Sequence, residues 1–513
     1  MAHVAKIIRN FYRDSVALMQ LSSRLSAVEG IQQASAVMAS ANNLALLREA
    51  GLLKDDIDAG PNDLLIALAG DDTAVHLAIA QAEDALNQKP PSESDAGRRR
   101  EPPHSLQMGL ELRPAANLAL ISTPGDYATA EARKALRLGL NVMLFSDNVA
   151  IADEVALKRY AQAHDLIVMG PDCGTAIIGG IPLGFANAVR RGGIGLIGAS
   201  GTGLQLVSCL IDRLGGGISQ AIGTGGHDLS RDVGGITMLQ ALSALAKDPA
   251  TKTIVLISKP PAPDIAARVL ARAAEAGKPV VVNFLGADPA RPAAAGVTIV
   301  KTLEDAADAA VASAAGVKPE CPVRKPVLLE SPPLAAGQRY VRGLYSGGTL
   351  CYEATLLLGE MLPDVYSNTP VGGAGALDNV WQSRENTLID LGDDVFTRGR
   401  PHPMIDHRLR NERLAAEAQD PQTAVILLDV VLGYGSHPDP ASVMAPVIET
   451  AVAQAKVAGR HVAVVGFVCG TPADPQNLAR QETRLQAAGM QLAGSNAEAA
   501  RLAAHFAAAA NRS

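Results

Sequence analysis

Along this chain, short unbroken apolar runs alternate with longer stretches whose apolar residues recur three and four positions apart. The pattern predicts strands feeding helices. Residues 4–12 (VAKIIRNFY) read as a strand and 15–28 as an amphipathic helix that stops near Gly30. IQQASAVMAS and NDLLIALAG read as further strands, each followed by a helical stretch, so residues 1–88 form a small α/β, ferredoxin-like domain. From residue 115 the strands NLALIS, NVMLFS and DLIVMGP alternate with helices in a doubly wound, Rossmann-like pattern over 115–191. IGLIG then opens a flavodoxin-like domain over 192–313, and a second one spans 339–513. Proline-rich, polar stretches at 89–114 and 314–338 read as linkers; the first holds the triplet Arg98-Arg99-Arg100.

The last two domains repeat one another. GIGLIGASGTGLQLVSCLIDRLG and RGLYSGGTLCYEATLLLGEML both read strand, small-residue turn, helix, and DPATKTIVLIS parallels DPQTAVILLDVV. The later part of the chain is therefore read as an internal duplication.

Composition narrows the function classes. With 513 residues, 48% hydrophobic and 19% charged, the chain reads as globular with several domains. Aromatic residues make up 3% and the net charge is −7, which argues against nucleic-acid platforms. Cys173, Cys209, Cys321, Cys351 and Cys469 are scattered without a CxxC pair, so reduced thiols, no metal site and a cytoplasmic location are expected. The N-terminus lacks a signal-peptide apolar core, and no apolar run reaches membrane-spanning length.

The chemistry is expected at the turns. A strand that enters a helix through small residues leaves the first helical N–H groups facing outward, where the helix dipole favours an anion. Ser200, Gly201, Thr202 and Gly203 form one such turn, and Ser346, Gly347, Gly348 and Thr349 the other. Each reads either as a capped turn or as a phosphate site, and their recurrence in one chain favours the latter. His227 and Asp228 follow a double glycine, and His437 lies in GYGSHPDP. His227, Asp228 and His437 are the catalytic candidates, the two histidines as acids, with His402 and His407 behind them. Pro124, Pro171 and Cys173 sit in turns at the carboxyl ends of the earlier strands, where such sheets bind substrate or CoA; for Cys173 a packing role is the alternative.

NLALISTPGDYATAEARKALRLGLNVMLFSD, DLIVMGPDCG, GIGLIGASGTG and IGTGGHD together resemble the α subunit of succinyl-CoA synthetase. LIDLGDD, DPQTAVILLDVVLGYG and the stretch VAVVGFVCGTPADPQNLARQE resemble the CoA-ligase domain of its β subunit. With the opening NFYRDSVALMQLS, the arrangement is similar over nearly its full length to the acyl-CoA synthetase-like FdrA family. The resemblance implies a Rossmann-like CoA-binding domain followed by two succinyl-CoA-synthetase-type domains. It further implies a subunit of a hetero-oligomeric oxamate carbamoyltransferase, converting oxalurate and phosphate to oxamate and carbamoyl phosphate. Phosphate is then a substrate and CoA a possible ligand. The alternatives are an acyl-CoA synthetase acting with an ATP-binding partner, or a non-catalytic CoA-binding scaffold. Three family features are missing: the Gly-rich loop before Asn117, a histidine in the segment after VVVNFLGADPA, and the ATP-grasp region.

Overall fold

Strands that read as continuous apolar runs lie at the centres of sheets, where helices cover both faces. In a computed structural model the described residues are 2–13, 15–55, 57–87, 103–290, 294–317, 333–398 and 400–510. They divide into two compact units, residues 1–168 with 394–406, and 169–393 with 407–513.

In the first unit, β1 (Ala2–Ile8), β2 (Ile31–Met38) and β3 (Leu64–Gly70) form an antiparallel sheet in the order β1-β3-β2. The strands alternate with α1 (Ser15–Ser26), α2 (Ala41–Glu49) and α3 (Asp72–Asn87). Every residue of β3 is buried, because its alternate side chains enter two cores. Leu64, Ile66 and Leu68 pack with Leu21, Leu25, Val75 and Ala78, while Leu65 and Ala67 pack with Leu47, Leu52 and Leu53. This is the expected ferredoxin-like layering.

Helix α4 (Leu106–Leu112) begins where the Ser105 hydroxyl accepts the Met108 N–H, so the stretch read as a linker over 89–114 carries a helix. Residues 88–102, with Arg98–Arg100, lie outside the described residues, as do 318–332 of the second linker and Cys321. Next come β4 (Leu118–Ile121), α5 (Gly125–Arg137), β5 (Asn141–Leu144), α6 (Ile151–Ala163) and β6 (Val168–Met169), in sheet order β4-β5-β6.

The second unit holds two seven-stranded sheets. Its first part runs through β7 (Thr175–Ile178), β8 (Ile181–Gly184), β9 (Arg191–Ala199), α7 (Gly201–Arg213), β10 (Ile218–Gly223) and α8 (Ile236–Lys247). It continues with β11 (Thr253–Ser258), α9 (Pro263–Ala274), β12 (Val280–Phe284), β13 (Val297–Ile299) and α10 (Leu303–Ala314). The sheet order β13-β12-β11-β9-β10-β7-β8 is flavodoxin-like, extended at one edge by the β7-β8 hairpin. That hairpin, placed by the sequence within 115–191, pairs with β10 and so belongs to this sheet.

The second part comprises β14 (Tyr340–Tyr345), α11 (Gly348–Met361), β15 (Val365–Ser367), β16 (Gly375–Ala376), β17 (Asn386–Asp390), α12 (Asp394–Thr397, within the first unit) and α13 (Arg408–Gln419). It closes with β18 (Thr423–Val431), α14 (Pro440–Val457), β19 (Ala463–Cys469), α15 (Leu478–Ala487), β20 (Met490–Leu492) and α16 (Asn496–Ala510). Its order is β16-β15-β17-β14-β18-β19-β20. Strands β10-β9-β11-β12-β13 and β17-β14-β18-β19-β20 thus follow one topology, with α7 matching α11 and α10 matching α16. Among the described residues no helix is long and apolar enough to cross a membrane.

Side chains stitch the two modules together. Arg213 on α7 donates to the carbonyls of Val468 and Gly470. Glu353 on α11 accepts the Leu303 N–H at the start of α10 (2.7 Å) and the Asn496 side-chain amide at the start of α16 (2.8 Å). Burial pushes the Glu353 carboxyl up to about 7, against the pull of those two donors. The folded protein therefore keeps this proton from the ordinary glutamate range up to about pH 7, while the unfolded chain gives it up. The contribution is complete below pH 4.5 and is lost as pH rises to 7. Comparing urea unfolding of the wild type and Glu353→Gln across that window should show this loss, about 3 kcal/mol, only in the wild type.

Candidate functional site

The two small-residue turns meet. At the first, β9 ends in Ala199 and Ser200 caps α7, its hydroxyl accepting the Gly203 N–H at 2.9 Å. The same hydroxyl lies 2.6 Å from the Thr349 hydroxyl in the first turn of α11. The reciprocal contact is made by Gly347 and Thr202: a Cβ at Gly347 would come within 2.8 Å of the Thr202 methyl. Ser200 and Gly347 are the N-caps of equivalent helices, and Thr202 and Thr349 their second residues. Ser200 facing Thr349 and Gly347 facing Thr202 are one contact seen from both sides of a pseudo-twofold axis.

The copies cap their helices differently. Gly347 has no side chain to cap α11, and the Asp429 carboxylate on β18 fixes instead the turn that leads into the helix. It accepts the N–H groups of Ser346 (2.8 Å) and Gly347 (3.0 Å) and the Ser346 hydroxyl (2.8 Å). Arg410 on α13 balances this charge: its guanidinium donates to Asp429 Oδ1 at 2.7 Å, both side chains being fully buried. Burial pushes Asp429 up and Arg410 down, and each opposes the shift of the other. Arg410 also donates to His407 Nδ1 at 2.9 Å. Burial and that cation hold His407 well below the usual histidine range, so its ring is neutral.

The phosphate-site expectation is therefore redistributed. The amides of Ser346 and Gly347 and the Ser346 hydroxyl are turned into the protein towards Asp429, and Gly203 N–H is taken by Ser200. The amides of Gly201, Thr202, Gly348, Thr349 and Leu350 precede the first intrahelical bonds, Leu204 to Ser200 and Cys351 to Gly347. These five are first-turn backbone donors at the junction of the two helix starts.

Two residues not singled out in the sequence stand at this junction, the candidate cleft. Asp390, at the end of β17, lies against the start of α11: a Cβ on Gly348 would stand 2.5 Å from Asp390 Oδ2 and 3.3 Å from Lys259 Nζ. Lys259 follows β11 of the other module, its ammonium 4.5 Å from the centre of the Tyr352 ring. Asn368 holds both backbone polar groups of Asp390, and Gly392 N–H donates to Oδ1 at 2.9 Å. Burial pushes the Asp390 carboxyl up to about 6, against Lys259, which lowers it. Both residues could have been found by following the strands beside β9 and β14 to their carboxyl ends, where such folds place ligands.

The remaining expectations resolve as follows. Asp228 is buried and accepts the N–H groups of Thr237 and Met238, so it caps α8 rather than doing acid–base work. His227 is exposed in the preceding turn. His437 Nδ1 accepts the Asp439 N–H at 3.0 Å and its ring centre is 5.4 Å from that of His407; it orders the turn into α14. His402 Nδ1 accepts the Met404 N–H in the first unit. Cys173 is buried, its thiol donating to the Thr175 carbonyl at 3.6 Å, and Pro171 is buried and joined to Gly170 by a cis peptide bond. Pro124 is the N-cap of α5 in the first unit.

Removing the caps should separate structure from binding. Asp429→Ala leaves Arg410 buried without its counter-charge and should cost about 3–5 kcal/mol in urea unfolding. Thr349→Val keeps shape and removes only the inter-module hydroxyl pair; the expected loss is about 1–3 kcal/mol.

Comparison with known proteins gives three family matches. Residues 344–506 match the CoA-ligase family, 190–286 the CoA-binding domain family, and 1–103 the AllF heavy metal-associated domain. The CoA-binding match falls on the module of β9–β12. The AllF-type domain holds no cysteine, the first in the chain being Cys173, so its residues do not fit a thiolate metal site. YahF of Escherichia coli K12 is 43% identical over 504 residues, 97% of each chain. The ADP-forming succinate–CoA ligase α subunit of Staphylococcus epidermidis RP62A is 27% identical over 28% of this chain and 48% of that subunit. The dinucleotide-forming acetyl-coenzyme A synthetase 1 of Ca. Korarchaeum cryptofilum covers 77% of this chain and 83% of its own, at 17% identity and a TM-score of 0.32.

Proposed function

We propose, from the premise that this chain belongs with YahF to the succinyl-CoA synthetase-like FdrA family, that its cleft handles an acyl phosphate in an acid–thiol ligase-type enzyme. The observation carrying this reading is the meeting of two helix N-termini, locked by Ser200 and Thr349, with Lys259 beside them. First-turn amides of two helices and an ammonium suit a phosphoryl group, and dipoles already oriented cost nothing to reorganise as charge develops. Gly201, Thr202, Gly348, Thr349 and Lys259 would hold the phosphoryl oxygens. CoA, when bound, supplies the thiol that accepts the acyl group. A nucleotide site would come from a partner subunit, since the ATP-grasp region has no counterpart in the sequence.

A second reading follows from Asp390. The segment after β12, GADPARPAAAG, has no histidine to carry phosphate, whereas a buried carboxyl with raised proton affinity stands in the cleft. That suits direct carbamoyl transfer between oxamate and phosphate. A phosphate oxygen bonds to the carbamoyl carbon, the carbon–nitrogen bond of oxalurate breaks, and its electron pair takes a proton as oxamate leaves. Carbamoyl phosphate is itself an acyl phosphate, so both readings share the cleft and differ in what meets it.

One experiment separates them. The full-length chain with its co-purifying subunits is given oxamate and carbamoyl phosphate without nucleotide or CoA, and oxalurate is followed by mass. The ligase reading expects no product there and acyl-CoA formation only with a carboxylic acid, ATP and CoA. Oxalurate formed without either overturns the ligase reading and establishes carbamoyl transfer.

A further inference from the structure

Each module contributes one ionisable side chain of opposite sign to the cleft. Lys259 comes from the end of β11, and Asp390 from the end of β17. The two converge at Gly348, the only residue type at which both can approach the α11 backbone this closely. Asp390 is 5% exposed, and its position is fixed by Asn368 through the main chain and by Gly392 through Oδ1. Oδ2 is the oxygen turned towards Gly348 and the helix start. A carboxylate beside outward amides competes with any anion that the amides bind, and it shares Lys259 with that anion.

Resting on the reading of this cleft as an oxyanion site, we propose that Asp390 and Lys259 make it proton-coupled. Lys259 balances Asp390 in the ligand-free protein, and when an oxyanion takes over Lys259, Asp390 takes up a proton. Bringing a dianion next to an ionised buried carboxylate is costly at close range, and neutralising the carboxyl removes that cost. The proton thus arrives with the anion and stands where the acyl group is exchanged. When the bond from the acyl carbon to the departing atom breaks, that atom's electron pair takes the proton from Asp390, and the carboxylate returns to Lys259 as the carbon–oxygen bond to phosphate forms. Asp390 is then the catalytic acid that neither His227 nor His437 supplies, and it replaces a histidine by a carboxyl set in motion by substrate charge.

The other groups facing Asp390 are accounted for. Asp393 lies in its own turn and Asp429 on β18; both raise its proton affinity, and Asp429 is paired with Arg410. Cys351 on α11 is buried and held well above the usual thiol range, so it stays protonated. Lys259 opposes them. The pH response near 6 therefore belongs to Asp390, and an anion in the cleft shifts it upward.

Sulfate tests this without any enzymatic assay, because it stays divalent across the range in which Asp390 titrates. Sulfate binding to the full-length chain is measured by titration calorimetry between pH 5 and 8 at constant ionic strength. Wild-type affinity should rise on the order of tenfold as pH falls, with proton uptake at pH 7 seen as a dependence of the heat on buffer ionisation enthalpy. Asp390→Asn, which keeps shape and the Gly392 contact, should bind at pH 8 as tightly as wild type does at pH 5, without proton uptake. Lys259→Met should bind weakly at every pH, with its unfolding curve confirming the fold. A wild-type affinity independent of pH, an Asp390→Asn variant that keeps the wild-type slope, or a Lys259→Met variant with wild-type affinity overturns the coupling while leaving the oxyanion site standing. Folded wild-type protein that binds no sulfate at any pH overturns both.

Discussion

Two helices that end on each other present like charges. The N-termini of α7 and α11 each carry a partial positive charge, and the contacts of Ser200 with Thr349 and Gly347 with Thr202 hold them together. Negative groups near such a junction are favourable, by about 0.3–1 kcal/mol each at an exposed helix end. Two carboxylates stand there: Asp429 behind the start of α11, paired with Arg410, and Asp390 in front of it, near Lys259. Each therefore meets both the helix start and a cation, and neither is buried without a compensating positive group.

Much of the fold could be read from the sequence because alternating layers leave a strong periodic trace. The run LLIALAG announces a strand covered on both faces, and the repeat of strand, small-residue turn and helix announces the duplication. What periodicity does not carry is register between distant segments. Thr175–Ile178 looks like the end of one domain, yet pairs with β10 of the next sheet. Ser105 sits in a proline-rich stretch, yet its hydroxyl starts a helix. Both depend on a single hydrogen-bonding partner rather than on pattern.

The site was legible in its backbone and not in its side chains. The two glycine-rich turns stand out because only small residues allow backbones to approach so closely, and they do meet. The histidines stood out for their chemistry, and the packing redirects them: His407 is held neutral by Arg410, and His437 orders a turn. Asp390 and Lys259 did not stand out, because an Asp closing the apolar run Leu388-Ile389 and a Lys before Pro-Pro read as ordinary strand-end residues. Their role comes from tertiary placement: each follows a strand beside the one that feeds its module's helix, β11 on one side of β9 and β17 on the other side of β14, and the junction of the modules brings them together.

That placement gives the duplication a chemical consequence. Two identical modules around a twofold axis would each bring the same groups to the cleft, a symmetric set. Once the copies are joined in one chain, each can change alone. The first module caps its helix with the Ser200 side chain and carries Lys259 after β11. The second has Gly347 at the cap, with Asp429 and Arg410 behind it and Asp390 in front. A side chain at position 347 would meet Thr202, and one at 348 would meet both Asp390 and Lys259. The two copies of one strand–turn–helix unit thus differ in charge across the axis: where a strict repeat would give a symmetric anion cradle, this cleft has an acid side and a cationic side.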